Sequence, residues 1–195
     1  MPRRATTAPP CVRWPQRPLI WPIRTRVQMM NEKNEMIFFV PVRSEGRLRH
    51  VRDLFREYAD SLISFGIDLR SLIDFDKEVA ELPGQYAPPH GHILLAICGT
   101  DIAGCVALRK LTDEAAELKR LYVRPPFRTQ GVGRRLILAM LKEARPLGYK
   151  CVRWDSMPFM EEANRLYRSL GAKPTEPYWR NPARGAMFWE LDLTS

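Results

Sequence analysis

A glycine loop between a strand-like segment and a helix-like segment is the feature that most limits the fold of this 195-residue chain. Residues 117–123 read Glu-Leu-Lys-Arg-Leu-Tyr-Val, and two prolines follow, which lack the backbone N–H that strand pairing needs. The loop 128–133 comes next, then apolar residues at helical spacing over 136–147, then a strand-like segment at 150–155. A strand, helix, strand unit of this kind predicts one parallel strand pair.

The segments on either side of this unit predict a mixed, mostly antiparallel sheet of six or seven strands, with helices on both faces. Turn residues 99–101 separate two apolar runs and predict a hairpin, and Tyr178 is expected to begin a last hairpin. Pro146 is expected to loosen the end of the helix after the glycine loop. The fold class is therefore α/β (α+β). The predicted strands cover 36–43, 93–98, 104–111, 117–123, 150–155 and 187–193, and the predicted helices cover 48–62, 75–82, 136–147 and 160–170.

Residues 1–35 differ in composition from the remainder of the chain. They carry seven basic side chains against two acidic ones and hold six of the 17 prolines, which predicts a disordered, basic extension before a domain over 36–195. The apolar stretch 19–23 is too short for the core of a secretory signal, which spans about 7–15 residues. A targeting peptide, a nucleic-acid-binding arm and an extension without a role stay open, as does a translation start at Met29, Met30 or Met36.

Several classes of function find no support in the sequence. No apolar run approaches the roughly 18–20 residues that span a bilayer. The four cysteines have no C-x-x-C or metal-ligand spacing, which predicts free thiols and a reducing cytoplasm as the location. His90 and His92 have no ligand partner at a suitable spacing, so no metal site is predicted. No recognition helix or stacking motif supports nucleic-acid binding.

The position of the glycine loop favours a phosphate ligand. The first N–H groups of a helix are unpaired, and its positive dipole end attracts anions. Gly131 and Gly133 let a ligand approach the backbone closely, and Arg128, Arg134 and Arg135 add positive charge. A dinucleotide loop would need a third small residue, and a P-loop would need Gly-Lys-Ser/Thr, and both are missing. Glycines before a helix also serve tight packing alone, so the loop by itself leaves phosphate binding open.

Three motifs together resemble the GNAT family of acetyl-CoA-dependent N-acetyltransferases: E-L-K-R-L-Y-V at 117–123, R-x-x-G-x-G at 128–133, and A-N-R-L-Y-R-S-L-G-A at 163–172. The resemblance covers about residues 36–195. It implies that the loop binds the pyrophosphate of coenzyme A and that the backbone at the end of the preceding strand binds the pantetheine arm and the thioester. The cofactor-binding residues that it implies are Leu121, Tyr122, Val123, Arg128, Thr129, Gln130, Gly131, Val132, Gly133, Arg134, Asn164 and Tyr167.

The same resemblance implies a mechanism. An acetyl group would move from acetyl-CoA to a primary amine of a small molecule or peptide by direct attack in a ternary complex. Tyr167 would protonate the departing thiolate, and Glu117 would accept the proton of the amine. The alternatives are a packing role for Tyr167, a surface position for Glu117 and, for the whole protein, an acyl-CoA-binding regulatory module without turnover. A homodimer is also open.

Overall fold

The structure is a computed structural model that describes residues 29–30, 36–181 and 183–194. The predicted extension 1–35 falls outside these ranges except for Met29 and Met30. The strands are β1 (Met29–Met30), β2 (Met36–Pro41), β3 (His92–Cys98), β4 (Asp101–Lys110), β5 (Ala115–Val123), β6 (Cys151–Ser156), β7 (Lys173–Pro174) and β8 (Met187–Asp192). The helices are α1 (Glu45–Ile63), α2 (Leu69–Leu72), α3 (Phe75–Ala80), α4 (Val132–Ala144) and α5 (Glu161–Ser169).

All the described strands belong to one sheet in the order β1-β2-β3-β4-β5-β6-β8-β7. Neighbouring strands are antiparallel except β5 and β6, which are parallel because α4 connects them as a crossover. Two of the strands, β1 and β7, are only two residues long. The predicted fold class, a mostly antiparallel sheet with one central parallel pair, is confirmed.

Helices cover both faces of the sheet, as predicted. The apolar stripes of α4 and α5 face one side and those of α1 and α3 the other, so the sheet separates two cores. The first core includes Phe39, Val106, Leu136, Ile137, Met140, Trp154 and Trp189. The second includes Val51, Leu54, Phe55, Phe75, Ile93, Leu95 and Ala107.

The parallel pair opens partway along its length. The pairing of β5 with β6 ends at Glu117 and Arg153, whereas β5 continues to Val123 and β6 to Ser156. Beyond Glu117, one edge of β5 therefore has no strand beside it. The chain between the two strands, including α4, leaves the sheet at Val123 in this opening and returns to it at Cys151, which pairs with Ala115 at the other end of β5.

A β-bulge in β5 lies at the same opening. Between the paired residues Lys119 and Tyr122, β5 has two residues, Arg120 and Leu121, where β4 has one. Arg120 has a φ of 56°, a left-handed conformation that costs a non-glycine residue about 1–2 kcal/mol. A Cβ on Gly104 of β4 would lie 2.4 Å from the carbonyl oxygen of Tyr122, so only glycine allows β4 this close to the bulged strand.

Element boundaries near the glycine loop differ from the prediction. Helix α4 begins at Val132, inside the predicted loop, because Gly131 adopts the left-handed φ of 73° immediately before it. The helix ends at Ala144, and Pro146 lies in a single 3₁₀ turn, in agreement with the expected loosening. The four-residue helix α2 was not predicted because so short a segment shows no periodicity.

The last hairpin is formed differently from the prediction. Its first strand is β7, which pairs Lys173 with Glu190 and Pro174 with Trp189, and Tyr178 lies in the loop that follows. The expectation that Tyr178 begins the hairpin was therefore wrong. An aromatic residue is typical of a strand, but here the side chain of Tyr178 is held by a tertiary hydrogen bond to Glu117.

Candidate functional site

Two hydrogen bonds join side chains of the glycine loop to the backbone that precedes the loop. Arg128 Nε donates a hydrogen bond to the carbonyl oxygen of Val123 at 3.0 Å, and Gln130 Nε2 donates one to that of Pro126 at 2.9 Å. Thr129 and Gly131 have φ values of 62° and 73°, which turn the chain sharply into α4. The loop is therefore ordered, and the unpaired N–H groups of the first turn of α4 follow it directly.

Positive charge surrounds this helix N-terminus. Arg134 Nη1 donates a hydrogen bond to Ser169 Oγ of α5 at 2.9 Å. The guanidinium of Arg135 lies beside Gly131, with its nitrogen atoms 3.8–3.9 Å from where a Cβ would stand. Arg135 Nη1 is buried and has no hydrogen-bond partner among the described residues. A buried donor without an acceptor, next to a loop of free N–H groups, is suited to an anion.

A cavity of about 150 Å³ lies where β5 and β6 separate. Helices α1 and α2 line one side of it, and α5 lines the other. The cavity therefore passes through the plane of the sheet at the opening. The residues that line it include Tyr58, Leu62, Leu69 and Leu72 from the first side, Met160, Ala163 and Tyr167 from the second, and Leu118, Leu121, Trp154 and Asp155 from the strands.

Tyr167 lies in this cavity, on the α5 side. Its ring packs edge-on to Trp154, with 5.2 Å between the ring centroids, and against Trp189 at 6.1 Å. Burial raises the pKa of its hydroxyl, and the nearby negative charge of Asp155 adds to the rise. The hydroxyl makes no hydrogen bond within the part of the chain that the structure describes. Tyr167 is thus held rigidly by its ring, with a protonated hydroxyl available to a ligand.

Asn164, which lies one turn before Tyr167 on α5, makes its hydrogen bonds inside the protein. Its Oδ1 accepts from Ser156 Oγ at 2.6 Å, and its Nδ2 donates to the carbonyl oxygen of Met157 at 2.9 Å. Ser156 Oγ also accepts from Trp189 Nε1 at 2.9 Å. These contacts fix α5 against the end of β6, so Asn164 holds the position of Tyr167. Its predicted contact with a cofactor stays a prediction.

The other predicted cofactor residues fall into two places. Leu121 lines the cavity, whereas Tyr122 packs in the core beneath α1 and carries the Arg128 guanidinium over its ring at 5.8 Å. Val123 ends β5 and contacts the loop through the bond from Arg128. The loop residues Arg128, Thr129, Gln130, Gly131, Val132, Gly133 and Arg134 lie together between β5 and α4.

Glu117 is fully buried and does not line the 150 Å³ cavity. Its carboxylate accepts hydrogen bonds from Arg109 Nε at 2.5 Å and from the Tyr178 hydroxyl at 3.0 Å, and Lys119 Nζ lies 3.3 Å away. Burial and the charge of Glu117 raise the pKa of Tyr178, so that this hydroxyl remains a donor. The carboxylate is surrounded by donors on β4, β5 and the loop before β8.

A second buried ion pair supports the bulge. Arg120 donates to both carboxylate oxygens of Glu78 on α3, with Nε at 3.0 Å and Nη2 at 2.5 Å, and the Tyr86 hydroxyl donates to Glu78 Oε1 at 2.6 Å. Burial acts to raise the pKa of Glu78, but the hydrogen bonds from Arg120 hold it below its ordinary value. This pair fixes the strained backbone of Arg120, and with it the edge of β5 at the opening.

Sequence reasoning missed Asp155 and Tyr58, which face the same cavity as Tyr167. Tyr58 continues the apolar stripe of α1, so its pattern indicates a core residue. Asp155 is a single carboxylate on a predicted strand, and only its position beyond the last β5–β6 pair makes it stand out. The position at which the parallel strand pair ends is the signal that would have identified Asp155 and Tyr58 as site residues.

Three further features of the described residues bear on function: the cysteines, possible metal ligands and apolar helices. Cys98, Cys105 and Cys151 form no disulfide within the described residues, and Cys11 lies outside them. In the described ranges, no group of three His, Cys, Asp or Glu side chains is arranged to hold a metal ion. No described helix combines the length and apolar character needed to cross a membrane.

Comparison with known proteins supplies the context for this geometry. The model of the acetyltransferase (GNAT) family matches residues 51–172. The uncharacterized N-acetyltransferase C1271.07c of Schizosaccharomyces pombe is 37% identical over 144 residues, which cover 72% of this chain and 85% of that protein.

Solved structures with the same fold include an acetyltransferase from Streptococcus agalactiae, with a TM-score of 0.67 at 16% identity over 80% of this chain and 98% of its own. A second is yncA of Salmonella typhimurium, which was solved with its cofactor acetyl-CoA. Its TM-score is 0.62 at 16% identity, over 80% of this chain and 94% of its own. At these identities the likeness shows a shared fold.

Proposed function

The chain belongs to the acetyltransferase (GNAT) family, and on this premise we propose that it is an N-acetyltransferase that moves an acetyl group from acetyl-CoA to a primary amine. The acceptor is a small molecule or a peptide, and the amine attacks directly in a ternary complex. One observation carries the proposal: the glycine loop and the opening of the sheet meet at the end of β5, with Tyr167 inside the opening.

The loop residues fit the diphosphate of coenzyme A. The N–H groups of Val132, Gly133 and Arg134 begin a 13-residue helix and have no acceptor within it. Beside them, the buried Nη1 of Arg135 has no hydrogen-bond partner in the described part of the chain. A Cβ on Gly133 would lie 3.7 Å from Val123 Cγ2, an ordinary contact, so packing within the protein does not itself require glycine at this position. Arg128 and Arg134 add charge, and Thr129 and Gln130 complete the loop.

The free edge of β5 would hold the arm that carries the thioester. Acetyl-CoA, when bound, supplies the acetyl thioester that the amine attacks. Backbone groups of Leu121, Tyr122 and Val123 lie past the last β6 pair and are assigned to this arm. A backbone N–H directed at the carbonyl oxygen, where negative charge develops during the attack, contributes about 3 kcal/mol to catalysis.

Tyr167 is assigned to assist the protonation of the departing sulfur. A coenzyme A thiol resembles the cysteine thiol, whose pKa is about 8.5, whereas burial raises the pKa of Tyr167 above its ordinary value of 10.0. Full transfer of the phenolic proton is therefore uphill. A hydrogen bond from the Tyr167 hydroxyl to the sulfur stabilises the leaving group without complete transfer, and solvent completes the protonation.

Glu117 as the proton acceptor of the amine stays a prediction. Its three donors, its complete burial and its absence from the cavity lining favour a different contribution. A carboxylate in these contacts holds Arg109 and Lys119 in place and closes the loop of Tyr178 over the sheet. Asn164 likewise stays assigned to the cofactor only as a prediction.

The test has two parts, carried out with the purified full chain. Calorimetry with acetyl-CoA measures binding, and release of free thiol in the presence of a panel of primary amines measures turnover. The proposal predicts binding and steady thiol release with at least one amine. Binding without thiol release across the panel would favour an acyl-CoA-binding regulatory module, and absence of binding would contradict both functions.

A further inference from the structure

Asp155 is a carboxylate held in position at the opening of the sheet. It stands two residues after Arg153, the last residue of β6 that pairs with β5, and the two side chains face the same side of the sheet. Asp155 Oδ1 accepts a hydrogen bond from Lys119 Nζ at 3.0 Å, and Oδ2 accepts one from Asn181 Nδ2 at 2.7 Å. Each oxygen has a second lone pair, so the carboxylate keeps capacity for a ligand N–H.

Two tyrosine hydroxyls share the cavity with this carboxylate. Tyr58 reaches it from α1, and Tyr167 reaches it from α5 on the opposite face of the sheet. Burial raises the pKa of both hydroxyls, and the negative charge of Asp155 raises each further. Neither hydroxyl has a hydrogen-bond partner within the described chain. Asp155 and Tyr58 therefore present an acceptor and a hydroxyl on the side of the cavity away from α5.

Apart from Lys119, Arg120 and Asn181, the remainder of that side is apolar. Asp155 is the one acidic side chain among the lining residues that the structure describes, and Lys119 and Arg120 are basic. Lys119 is paired with Asp155 and Glu117, and Arg120 is paired with Glu78. The whole cavity has a volume of about 150 Å³, and its α5 side is assigned to the thioester, so the space left for the acceptor suits only a small group. The apolar lining on this side comprises Leu62, Ile67, Leu69, Leu72, Ile73 and the ring of Trp179.

We propose that Asp155 and Tyr58 bind the amine of the acceptor, and that the acceptor carries this amine on one small apolar or aromatic group. The proposal rests on the acetyl transfer proposed above and narrows its substrate class. Asp155 is the one carboxylate of the described lining, so one amine has an acidic partner, whereas a second ammonium would be buried among apolar groups. A carboxylate on the carbon that bears the amine would lie next to Asp155, whose partner Lys119 is already shared with Glu117, and would be repelled.

Protons balance in this arrangement. The bound ammonium first gives one proton to Asp155 and becomes the neutral nucleophile. As the N–C bond forms and the C–S bond breaks, the nitrogen loses a second proton to solvent and the sulfur takes up one from solvent. Tyr167 donates its hydrogen bond to that sulfur. The amide product is neutral and does not take this proton back. When the product leaves, Asp155 releases the proton to solvent.

The experiment compares four acceptors with the wild-type chain: 2-phenylethylamine, 3-methylbutylamine, 1,4-diaminobutane and leucine. Thiol release gives kcat/KM for each. The first two are expected to exceed the last two by at least about tenfold, since burying one unpaired charge costs more than 1.4 kcal/mol. A preference for the diamine or for leucine would overturn the proposal. This comparison needs no variant and therefore does not depend on how a variant folds.

The second arm tests Asp155 itself. Asp155→Asn is expected to lower kcat/KM for 2-phenylethylamine about 100-fold while the acetyl-CoA affinity measured by calorimetry stays within about twofold. The matched control is Asp113→Asn, the same change at a carboxylate that is 92% exposed in the β4–β5 turn. Activity of Asp155→Asn equal to that of the control would overturn the proposal while leaving acetyl transfer intact. If the wild-type chain did not bind acetyl-CoA, the proposed function would be contradicted, and the assignment of Asp155 would fail with it.

Discussion

The hydroxyl of Tyr178 donates a hydrogen bond of 3.0 Å to the buried carboxylate of Glu117, across 61 positions of sequence. The bond connects the loop before β8 to the last residue of β5 that pairs with β6. From that residue onward β5 and β6 separate. The contact therefore lies where the opening begins, and the cavity lined by Tyr58, Asp155 and Tyr167 lies beyond it.

Glu117→Gln is expected to act mainly on stability. The variant keeps the shape of the side chain but removes the charge that Arg109 and Lys119 face, so the free energy of unfolding in urea should fall by about 3 kcal/mol or more. Turnover at a temperature where the variant is folded should stay within about threefold of wild type. A loss of about 100-fold with unchanged stability would instead establish Glu117 as the proton acceptor and contradict the assignment to Asp155.

Tyr167→Phe is expected to lower kcat by about 100-fold, because the sulfur loses its hydrogen-bond donor. The affinity for acetyl-CoA should change little, since the ring contacts with Trp154 and Trp189 remain. The control is Tyr149→Phe, which removes a hydroxyl that donates to the carbonyl oxygen of His90, outside the lining of the cavity. Equal kcat values for the two variants would remove Tyr167 from the mechanism.

Gly131→Ala and Gly148→Ala form a matched pair at the two ends of the segment that contains α4. Both glycines have left-handed backbones, with φ of 73° and 87°, so each substitution should cost about 1 kcal/mol of unfolding free energy. Only Gly131→Ala should weaken acetyl-CoA binding in calorimetry, because Gly131 lies in the loop and Gly148 lies after the helix. Equal affinities would contradict the location of the diphosphate site.

Glu78→Gln tests the ion pair that holds the bulge. Because the pKa of Glu78 is lowered in the folded protein, its contribution to stability is complete above the unfolded value of 4.5 and is lost as the pH falls through the lower folded value. At pH 7, breaking the buried pair should cost about 3–5 kcal/mol. The difference in unfolding free energy between wild type and variant should shrink below pH 4.5, and a difference that stayed constant there would contradict the ion-pair account.

The features predicted from sequence are those that depend on local pattern. The glycine loop, the crossover helix and the alternation within strands each occupy a continuous segment, so the parallel pair and the two-sided sheet could be inferred from residues 117–155 and their flanks. The motif that contains Tyr167 also lies within one helix. Its ring position in the cavity follows from the same apolar stripe that packs α5 on the sheet.

The features that sequence did not reveal depend on contacts between distant segments. Arg120 has a left-handed backbone, and its guanidinium binds Glu78, 42 positions earlier. No local pattern predicts a bulge there. Asp155 faces the cavity because the β5–β6 pairing ends two residues before it. Tyr178 has the character of a strand residue, yet its hydrogen bond to Glu117 keeps it in a loop.

The most direct measurement of the central claim is the stoichiometry of products formed by the purified chain from acetyl-CoA and 2-phenylethylamine. Free thiol is followed in solution, and the acetylated amine is identified by mass spectrometry. The account predicts equal amounts of the two products over many turnovers per protein molecule. Absence of acetylated amine, with this acceptor and with every other primary amine tested, would contradict it.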